Sequence, residues 1–158
     1  MNLRKFFLTV GFSGLSPKAP GTVGSFVSLI IGLFLLQFLH VSTLFLLSLL
    51  VTVIAIKQID IYEKEVGAHD SSEIVIDELA GMWIALSICG INNSNFVIMA
   101  VLAFVFFRIF DIWKPSIIGK IDRDVKGGLG VMGDDVIAGI VAGIASAGVY
   151  QLIEKFIL

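Results

Sequence analysis

Stretches without a charged residue constrain this chain more than any other feature of its sequence. Three of them cover residues 19–56, 79–107 and 136–153, with lengths of 38, 29 and 18 residues. A membrane-spanning helix needs about 20 mostly apolar residues, so the first stretch is long enough for two helices and the last for one. Only 15% of the residues are charged and 57% are hydrophobic, against roughly 25% and 45–50% in soluble domains, which excludes an ordinary soluble fold.

The middle stretch is interrupted by a polar run at residues 92–95, which is typical of a turn. Its two halves, of 13 and 12 residues, are too short to cross a bilayer unless they extend to about residues 74 and 113. This extension places ionisable side chains at the ends of two membrane helices: Asp77, Glu78, Arg108 and Asp111. Ionisable groups at such a depth are costly and therefore indicate function.

We therefore predict an all-α, polytopic membrane helix bundle of about five membrane helices, in a single domain over residues 1–158. A short N-terminal interfacial helix is expected over residues 3–13. The membrane helices are expected at about residues 23–39, 42–57, 74–91, 96–114 and 134–154. The connections between them are a turn at His40, a polar segment at 58–73 with His69 as a surface residue, and a glycine-rich loop at 116–133.

The basic residues predict the orientation of this bundle. Ten of the eleven Lys and Arg residues fall on the side that holds the N-terminal segment, the 58–73 segment and the 116–133 loop, and Lys155 is the exception. The positive-inside rule places that side in the cytoplasm. The acidic helix ends lie on the same side, so the sequence predicts a site at the cytoplasmic interface.

Two groups of charged residues at this interface each allow a structural and a functional interpretation. Asp77 and Glu78 either offset the dipole of the third helix or hold a divalent cation, because adjacent buried carboxylates repel each other without one. Arg108, Asp111 and Lys114 are spaced three residues apart along the fourth helix. They form either an intrahelical ion pair with a snorkelling lysine or a metal ligand flanked by cations that hold phosphate.

Asp134 and Asp135 follow the glycine-rich segment 127–133, and one of them is expected to cap the last helix. Residues 128–133 match the pattern G-x-G-x-x-G, but no strand precedes them, so we discard a dinucleotide site. The segment is expected to be a flexible loop whose backbone approaches a phosphate closely, ahead of the helix N-terminus.

Two further glycine motifs have simpler interpretations. Residues 21–25 either cap the first membrane helix, which we favour, or cradle an anion. Gly139 and Gly143 form a small-x-x-x-small pattern, which predicts close packing against another helix.

The carboxylates, cations and glycine loops together predict a metal-dependent site that acts on a phosphorylated, membrane-resident substrate. No basic run indicates nucleic acid as a partner. The five carboxylates at helix ends on this side are Asp77, Glu78, Asp111, Asp134 and Asp135.

Four motifs occur in order over residues 14–139: Gly14-Leu15-Ser16-Pro17-x-x-Pro20-Gly21-Thr22-x-Gly24-Ser25, Ile74-Val75-Ile76-Asp77-Glu78-x-x-Gly81-Met82-Trp83, Arg108-x-x-Asp111-x-x-Lys114-Pro115 and Gly127-Gly128-x-Gly130-x-Met132-x-Asp134-Asp135-x-x-Ala138-Gly139. Together they resemble the phosphatidylglycerophosphatase A family. One local departure is Gly133, where a larger apolar residue is expected, and it removes no ligand.

The resemblance implies a Mg²⁺-dependent, multi-pass phosphatase of the bacterial inner membrane with its active site on the cytoplasmic side. Its reaction would convert phosphatidylglycerophosphate to phosphatidylglycerol and phosphate, in phosphatidylglycerol and cardiolipin biosynthesis. The implied metal ligands are Asp77, Glu78, Asp111, Asp134 and Asp135. The implied catalytic residues are Asp77, Glu78, Asp111, Lys114 and Asp135. The implied phosphate-binding residues are Thr22, Ser25, Arg108, Lys114 and Lys126. The lipid substrate is the expected partner, and the sequence also allows a homo-oligomer.

Two alternatives of other classes remain at this stage. A lipid phosphotransferase of the CDP-alcohol type also uses acids on membrane helices, but its D-x-x-D-G-x-x-A-R signature is absent from the sequence. A non-enzymatic membrane subunit or small transporter would use the charges as ion pairs or as a proton relay. The crowding of those charges on one face argues against a path across the bilayer.

Overall fold

The computed structural model describes residues 3–67 and 71–156, and this part of the chain is helical, without strands. A short 3-10 turn at Ser13–Leu15 follows the first helix. The predicted all-α bundle is therefore confirmed. The α-helices of the described part are α1 Leu3–Leu8, α2 Pro20–Leu35, α3 Val41–Val66, α4 Ile76–Ile88, α5 Phe96–Trp113, α6 Ile117–Asp124 and α7 Gly128–Phe156.

Three of these helices, α3, α5 and α7, are long and apolar enough to cross a membrane. They contain 26, 18 and 29 residues, and their most apolar windows have a mean hydropathy of 1.9 to 2.2. The apolar α2 has 16 residues and α4 has 13. At 1.5 Å per residue α4 is about 20 Å long, against about 30 Å for the hydrocarbon core. A membrane bundle fits this architecture, whereas five full spans stay a prediction.

The short helix α4 lies at the centre of the bundle. Helices α2, α3, α5 and α7 all pack against it. Every residue from Ile76 to Leu86 is buried except Asp77, which is partly buried. A helix that is apolar on all sides requires such an environment. Its first turn therefore presents Asp77 and Glu78 between the surrounding helices.

Glycines allow α4 and α7 to approach closely. A Cβ atom added at Gly139 would lie 2.3 Å from the carbonyl oxygen of Gly81, and one at Gly143 would lie 3.0 Å from that of Ala85. The close packing predicted from Gly139 and Gly143 is thus confirmed. Its consequence is that the early turns of α7 lie beside the first turns of α4.

The polar segment predicted at 58–73 is largely a continuation of α3. This helix runs to Val66 rather than to about residue 57, and it ends at Gly67, which has a left-handed φ of 71°. The extension is amphipathic, because Ile59 and Tyr62 are buried while most of their neighbours are exposed. His69, interpreted as a surface residue, lies outside the described residues.

The last helix also begins earlier than predicted, at Gly128. Residues 128–133 are helical, so the prediction of a flexible, phosphate-binding loop is wrong. The assignment of Asp134 or Asp135 as the helix cap is wrong as well, because both lie inside α7. The cap comes from α3 instead: Asp60 Oδ1 accepts a hydrogen bond of 2.7 Å from the backbone N–H of Gly128.

Helix α6 lies within the segment predicted to be a glycine-rich loop. As expected from the following proline, α5 ends at Trp113, and Lys114 adopts a left-handed φ of 44°. Helix α6 then packs against α7. A Cβ at Gly133 would lie 3.1 Å from Ile121 Cγ2, so the small residue at this position lets α6 approach α7.

The capping contact predicts a stability effect. We expect Asp60→Ala to lower the free energy of unfolding by about 1 kcal/mol, because the N-terminus of α7 loses its side-chain acceptor. Thermal unfolding in detergent measures the effect. Asp124→Ala, a change of an exposed acid on α6, is the comparison. An equal loss of stability in both variants would contradict a specific capping role for Asp60.

Candidate active site at the charged end of the bundle

Three carboxylates from three helices converge at one end of the bundle. Glu78 lies in the first turn of α4, Asp111 in the last turn of α5, and Asp135 early in α7. One oxygen of each lies within 4.8 Å of one oxygen of the others. Glu78 and Asp135 are buried and Asp111 is partly buried. Residues distant in sequence thus form one compact acidic group.

Arg108 connects this group to α2. Its Nη1 donates to Glu78 Oε2 at 2.7 Å and lies 2.6 Å from Asp111 Oδ2. The same nitrogen is 2.9 Å from Ser25 Oγ, and Nη2 is 3.3 Å from Thr22 Oγ1. Ser25 Oγ in turn donates to Glu78 Oε2 at 2.5 Å. The intrahelical ion pair allowed by the sequence is therefore present, but its guanidinium also joins α2, α4 and α5.

Lys114 forms a second cationic position on the other side of the acidic group. Its Nζ lies 2.5 Å from Asp122 Oδ1 on α6 and 2.7 Å from Asp134 Oδ2 on α7. Burial by itself would lower the pKa of Lys114, but the hydrogen bonds to Asp122 and Asp134 outweigh it and raise the pKa above its ordinary value. The ammonium therefore stays charged at neutral pH.

A small cavity of about 50 Å³ lies between these groups. Acidic residues dominate its wall, and Lys114 is the cation among them. The residues that line the cavity are Asp77, Asp111, Lys114, Asp122, Val125, Gly130, Val131, Asp134 and Asp135.

The charges of the site do not balance. Six carboxylates face the two cations Arg108 and Lys114, so the fully ionised cluster has a formal charge of −4. Such an excess of like charge in a partly buried site needs protons or bound cations. The six carboxylates are those of Asp77, Glu78, Asp111, Asp122, Asp134 and Asp135.

The donor atoms fit a hard divalent cation. Carboxylate oxygens of Glu78, Asp111 and Asp135 are close enough to share one ion, and oxygen ligands are those that Mg²⁺ prefers. Asp134 Oδ1 is buried and has no hydrogen-bond partner among the described residues. An unpartnered buried oxygen facing an acidic cavity is an available ligand for a metal ion. The site therefore has the composition of a metal centre.

Comparison with known proteins shows the family of the chain. The sequence profile of phosphatidylglycerophosphatase A matches residues 6–150 of the chain. The chain belongs to the phosphatidylglycerophosphatase A family. No solved structure matches it.

Curated relatives of this phosphatidylglycerophosphatase A family member cover most of its length. The phosphatidylglycerophosphatase A of Escherichia coli is 41% identical over 147 residues, which are 92% of this chain and 81% of the relative. That of Haemophilus influenzae is 37% identical, over 85% of this chain and 82% of the relative. A relative from Bacteroides thetaiotaomicron is 40% identical over 85% of this chain and 86% of its own length. That protein is provisionally named a phosphatidylinositol-3-phosphatase.

In this family member, most of the residues selected from the sequence lie in one place. Lys126 is the exception, because it is exposed and is not among the described residues that line the cavity. The residues brought together are Thr22, Ser25, Asp77, Glu78, Arg108, Asp111, Lys114, Asp134 and Asp135.

The interpretation of residues 21–25 as a helix cap is wrong. Helix α2 begins at Pro20, and its N-cap residue, Ala19, forms no side-chain capping bond. Thr22 and Ser25 are therefore inside the helix and point to Arg108. Gly21 has a different function from either interpretation, since a Cβ there would lie 2.4 Å from Glu78 Oε1. It leaves room for the Glu78 carboxylate.

Asp122 is the site residue that the sequence reasoning missed. It lies on α6, within the segment for which the sequence predicts a glycine-rich loop. The signal was present in the spacing of Ile117, Ile118 and Ile121, which is that of an amphipathic helix. Recognising this helix would have predicted a charged face turned toward neighbouring groups.

Proposed function

We propose that this chain hydrolyses phosphatidylglycerophosphate to phosphatidylglycerol and inorganic phosphate in a Mg²⁺-dependent reaction. The observation that carries the proposal is the convergence of Glu78, Asp111 and Asp135 beside two cations. Both kinds of group assist hydrolysis of a phosphate monoester, because cations stabilise the charge on its oxygens and an acidic site can hold a metal ion. Relatives at 41% and 37% identity bear the name of this activity.

Glu78, Asp111 and Asp135 would hold the metal ion, with Asp77 and Asp134 on the same cavity as further ligands. When bound, Mg²⁺ would polarise the phosphoryl oxygens and make a coordinated water more acidic.

The two cations have separate tasks in this proposal. Lys114 lines the cavity and would bind the phosphoryl oxygens directly, where charge accumulates during the reaction. Arg108 fixes the position of Glu78 and Asp111 and, with Thr22, offers N–H and O–H groups at the edge of the site. In this proposal the chain thus orients both the ester and the metal ligands.

The location of the reaction follows from the charges of the chain. All Lys and Arg residues except Lys155 belong to segments at the end of the bundle that holds the site. The positive-inside rule then assigns the site to the cytoplasmic side of the bacterial inner membrane. We therefore propose an orientation in which the substrate phosphate is reached from the cytoplasmic leaflet.

The test of the reaction is phosphate release by purified protein in mixed micelles. We expect release from phosphatidylglycerophosphate with Mg²⁺, loss of release with excess EDTA, and recovery when Mg²⁺ is restored. Phosphatidylinositol 3-phosphate is assayed in parallel, because one relative bears the name of that activity. Faster release from the inositol lipid would replace the proposed substrate. No release from either lipid by folded protein would favour the transferase or the non-catalytic alternative.

Asp122 provides a second test of the site. We expect Asp122→Asn to lower kcat/KM about tenfold or more, because Lys114 loses one of the two carboxylates that hold its ammonium at the cavity. Asp122→Glu should recover part of the activity. Asp124→Asn changes an exposed acid on the same helix and should leave the rate unchanged. Equal activities of the Asp122 and Asp124 variants would contradict this role.

A further inference from the structure

An apolar groove opens on the side of the bundle between α2 and α3. Around the central helix, α2 packs on α5, α5 on α7 and α7 on α3, whereas α2 and α3 make little contact with each other. The gap has a volume of about 1020 Å³, which is at the upper end of the range of about 300–1,000 Å³ for ligand sites. Side chains on the floor and walls include Val27, Ile31, Val51, Ile54, Leu79 and Trp83.

The groove is amphipathic along its length. Of the fourteen residues that line it, only Arg4 and Gln58 have polar side chains. Both lie at the charged end of the bundle, where Arg4 Nε donates to Gln58 Oε1 at 3.1 Å and Nη1 lies 2.5 Å from Glu65 Oε1. The remainder of the lining is apolar. A matching ligand is therefore a long apolar molecule with a polar group at its cytoplasmic end.

Helix α1 covers the charged end of the groove and is fixed in place. Lys5 Nζ lies 2.8 Å from Glu73 Oε2, and Tyr62 donates a hydrogen bond to the same carboxylate. These two hydrogen bonds lower the pKa of Glu73 below its ordinary value. The backbone N–H of Val75 donates to Leu8 O at 2.9 Å. The groove is thus bounded by a docked helix.

The groove is separate from the acidic cavity. The two share no lining residue, although both use the first turns of α4, where Ile76 lines the groove and Asp77 the cavity. Helix α3, which forms one wall of the groove, is long enough to cross the membrane. Hydrocarbon chains of the bilayer are therefore the medium next to the opening.

We infer that this groove binds an acyl chain of a bilayer phospholipid, whose headgroup lies beside α1. Burial from water contributes little to association inside a bilayer, so such binding depends on close packing and polar contacts. The groove supplies both, since an unfilled apolar space would forfeit packing contacts of its lining and Arg4 and Gln58 lie at the headgroup level. The bound lipid would complete the side of the bundle that the chain leaves open.

Trp83 makes the inference testable. Its indole is 7% exposed, lies on the groove floor, and donates from Nε1 to Ser28 O at 3.0 Å. The chain has two tryptophans, so Trp113→Phe leaves Trp83 as the only one. Phosphatidylglycerol brominated in its acyl chains is then added to this variant in detergent. We expect quenching of Trp83 fluorescence that saturates with added lipid.

A matched pair of substitutions on α3 controls for contact with lipid in general. In the same background, Val51→Phe fills the groove and should remove most of the quenching, and Val27→Phe does so from the opposite wall. Val53→Phe adds the same group at a position 60% exposed on α3 and outside the groove lining, so quenching should persist. Absent quenching, or equal quenching in all folded variants, would overturn the inference and leave a second copy of the chain as the occupant to test.

Discussion

Asp135→Asn is expected to lower the rate of phosphate release at least about a hundredfold. Asp135 is 3% exposed and shares the acidic group with Glu78 and Asp111. Changes in groups that only orient metal ligands cost roughly 10- to 100-fold, so loss of a direct ligand should cost more. The measurement is phosphate release at saturating Mg²⁺ and again over a range of Mg²⁺ concentrations.

The same substitution should leave the protein folded and slightly more resistant to heat. Removing one negative charge from a cluster with a formal charge of −4 reduces repulsion among buried carboxylates. A stable, inactive variant would therefore separate function from folding, as expected where a site is strained for its chemistry. Asp124→Asn is the control for loss of one acid. Full activity of Asp135→Asn would contradict the proposed metal site.

Gly139→Ala is expected to lower the free energy of unfolding by about 3 kcal/mol. The new methyl group would lie 2.3 Å from the carbonyl oxygen of Gly81, and backbone cannot move aside as a flexible side chain can. Helices α4 and α7 would separate, and Asp135 would move away from Glu78. Stability and activity should therefore decline together, in contrast to the Asp135 variant.

Gly148→Ala is the matched control for this substitution. Gly148 lies on the same helix, but an added Cβ would have no atom within 4 Å. Its stability should be unchanged or up to about 1 kcal/mol higher, because alanine favours a helix more than glycine does. Thermal unfolding in one detergent compares the two variants. Similar stability of both would show that α4 and α7 tolerate a larger separation.

The sequence predicted the bundle because charge-free segments leave few alternatives. The uncharged stretches, the turn at 92–95 and the stop before Pro115 located α5 at almost its observed bounds. Acids and bases at the ends of apolar segments also predicted most of the charged residues that converge at one end of the bundle. Such inferences succeed because the cost of placing a charge in hydrocarbon depends on local sequence.

Features that depend on contacts between distant segments were not predictable in this way. The start of α7 at Gly128 depends on a carboxylate from α3, 68 residues away in sequence. The participation of Asp122 depends on α6 packing against α7. The length of α4 was overestimated because its apolar flanks resemble a full span. In each case the observed structure depends on a tertiary contact that the local sequence pattern does not reveal.

The guanidinium of Arg108 has a consequence for the biogenesis of the protein. Helix α4 is too short and too acidic to partition into a bilayer by itself, whereas α5 is apolar but includes this cation. The two helices are consecutive, and the pairing of Arg108 with Glu78 cancels a charge on each. They are thus suited to enter the membrane as one hairpin, because the ion pair lowers the cost of burying both charges. A chain that inserts α4 without α5 would keep Glu78 apart from Asp111, so the acidic group could not assemble.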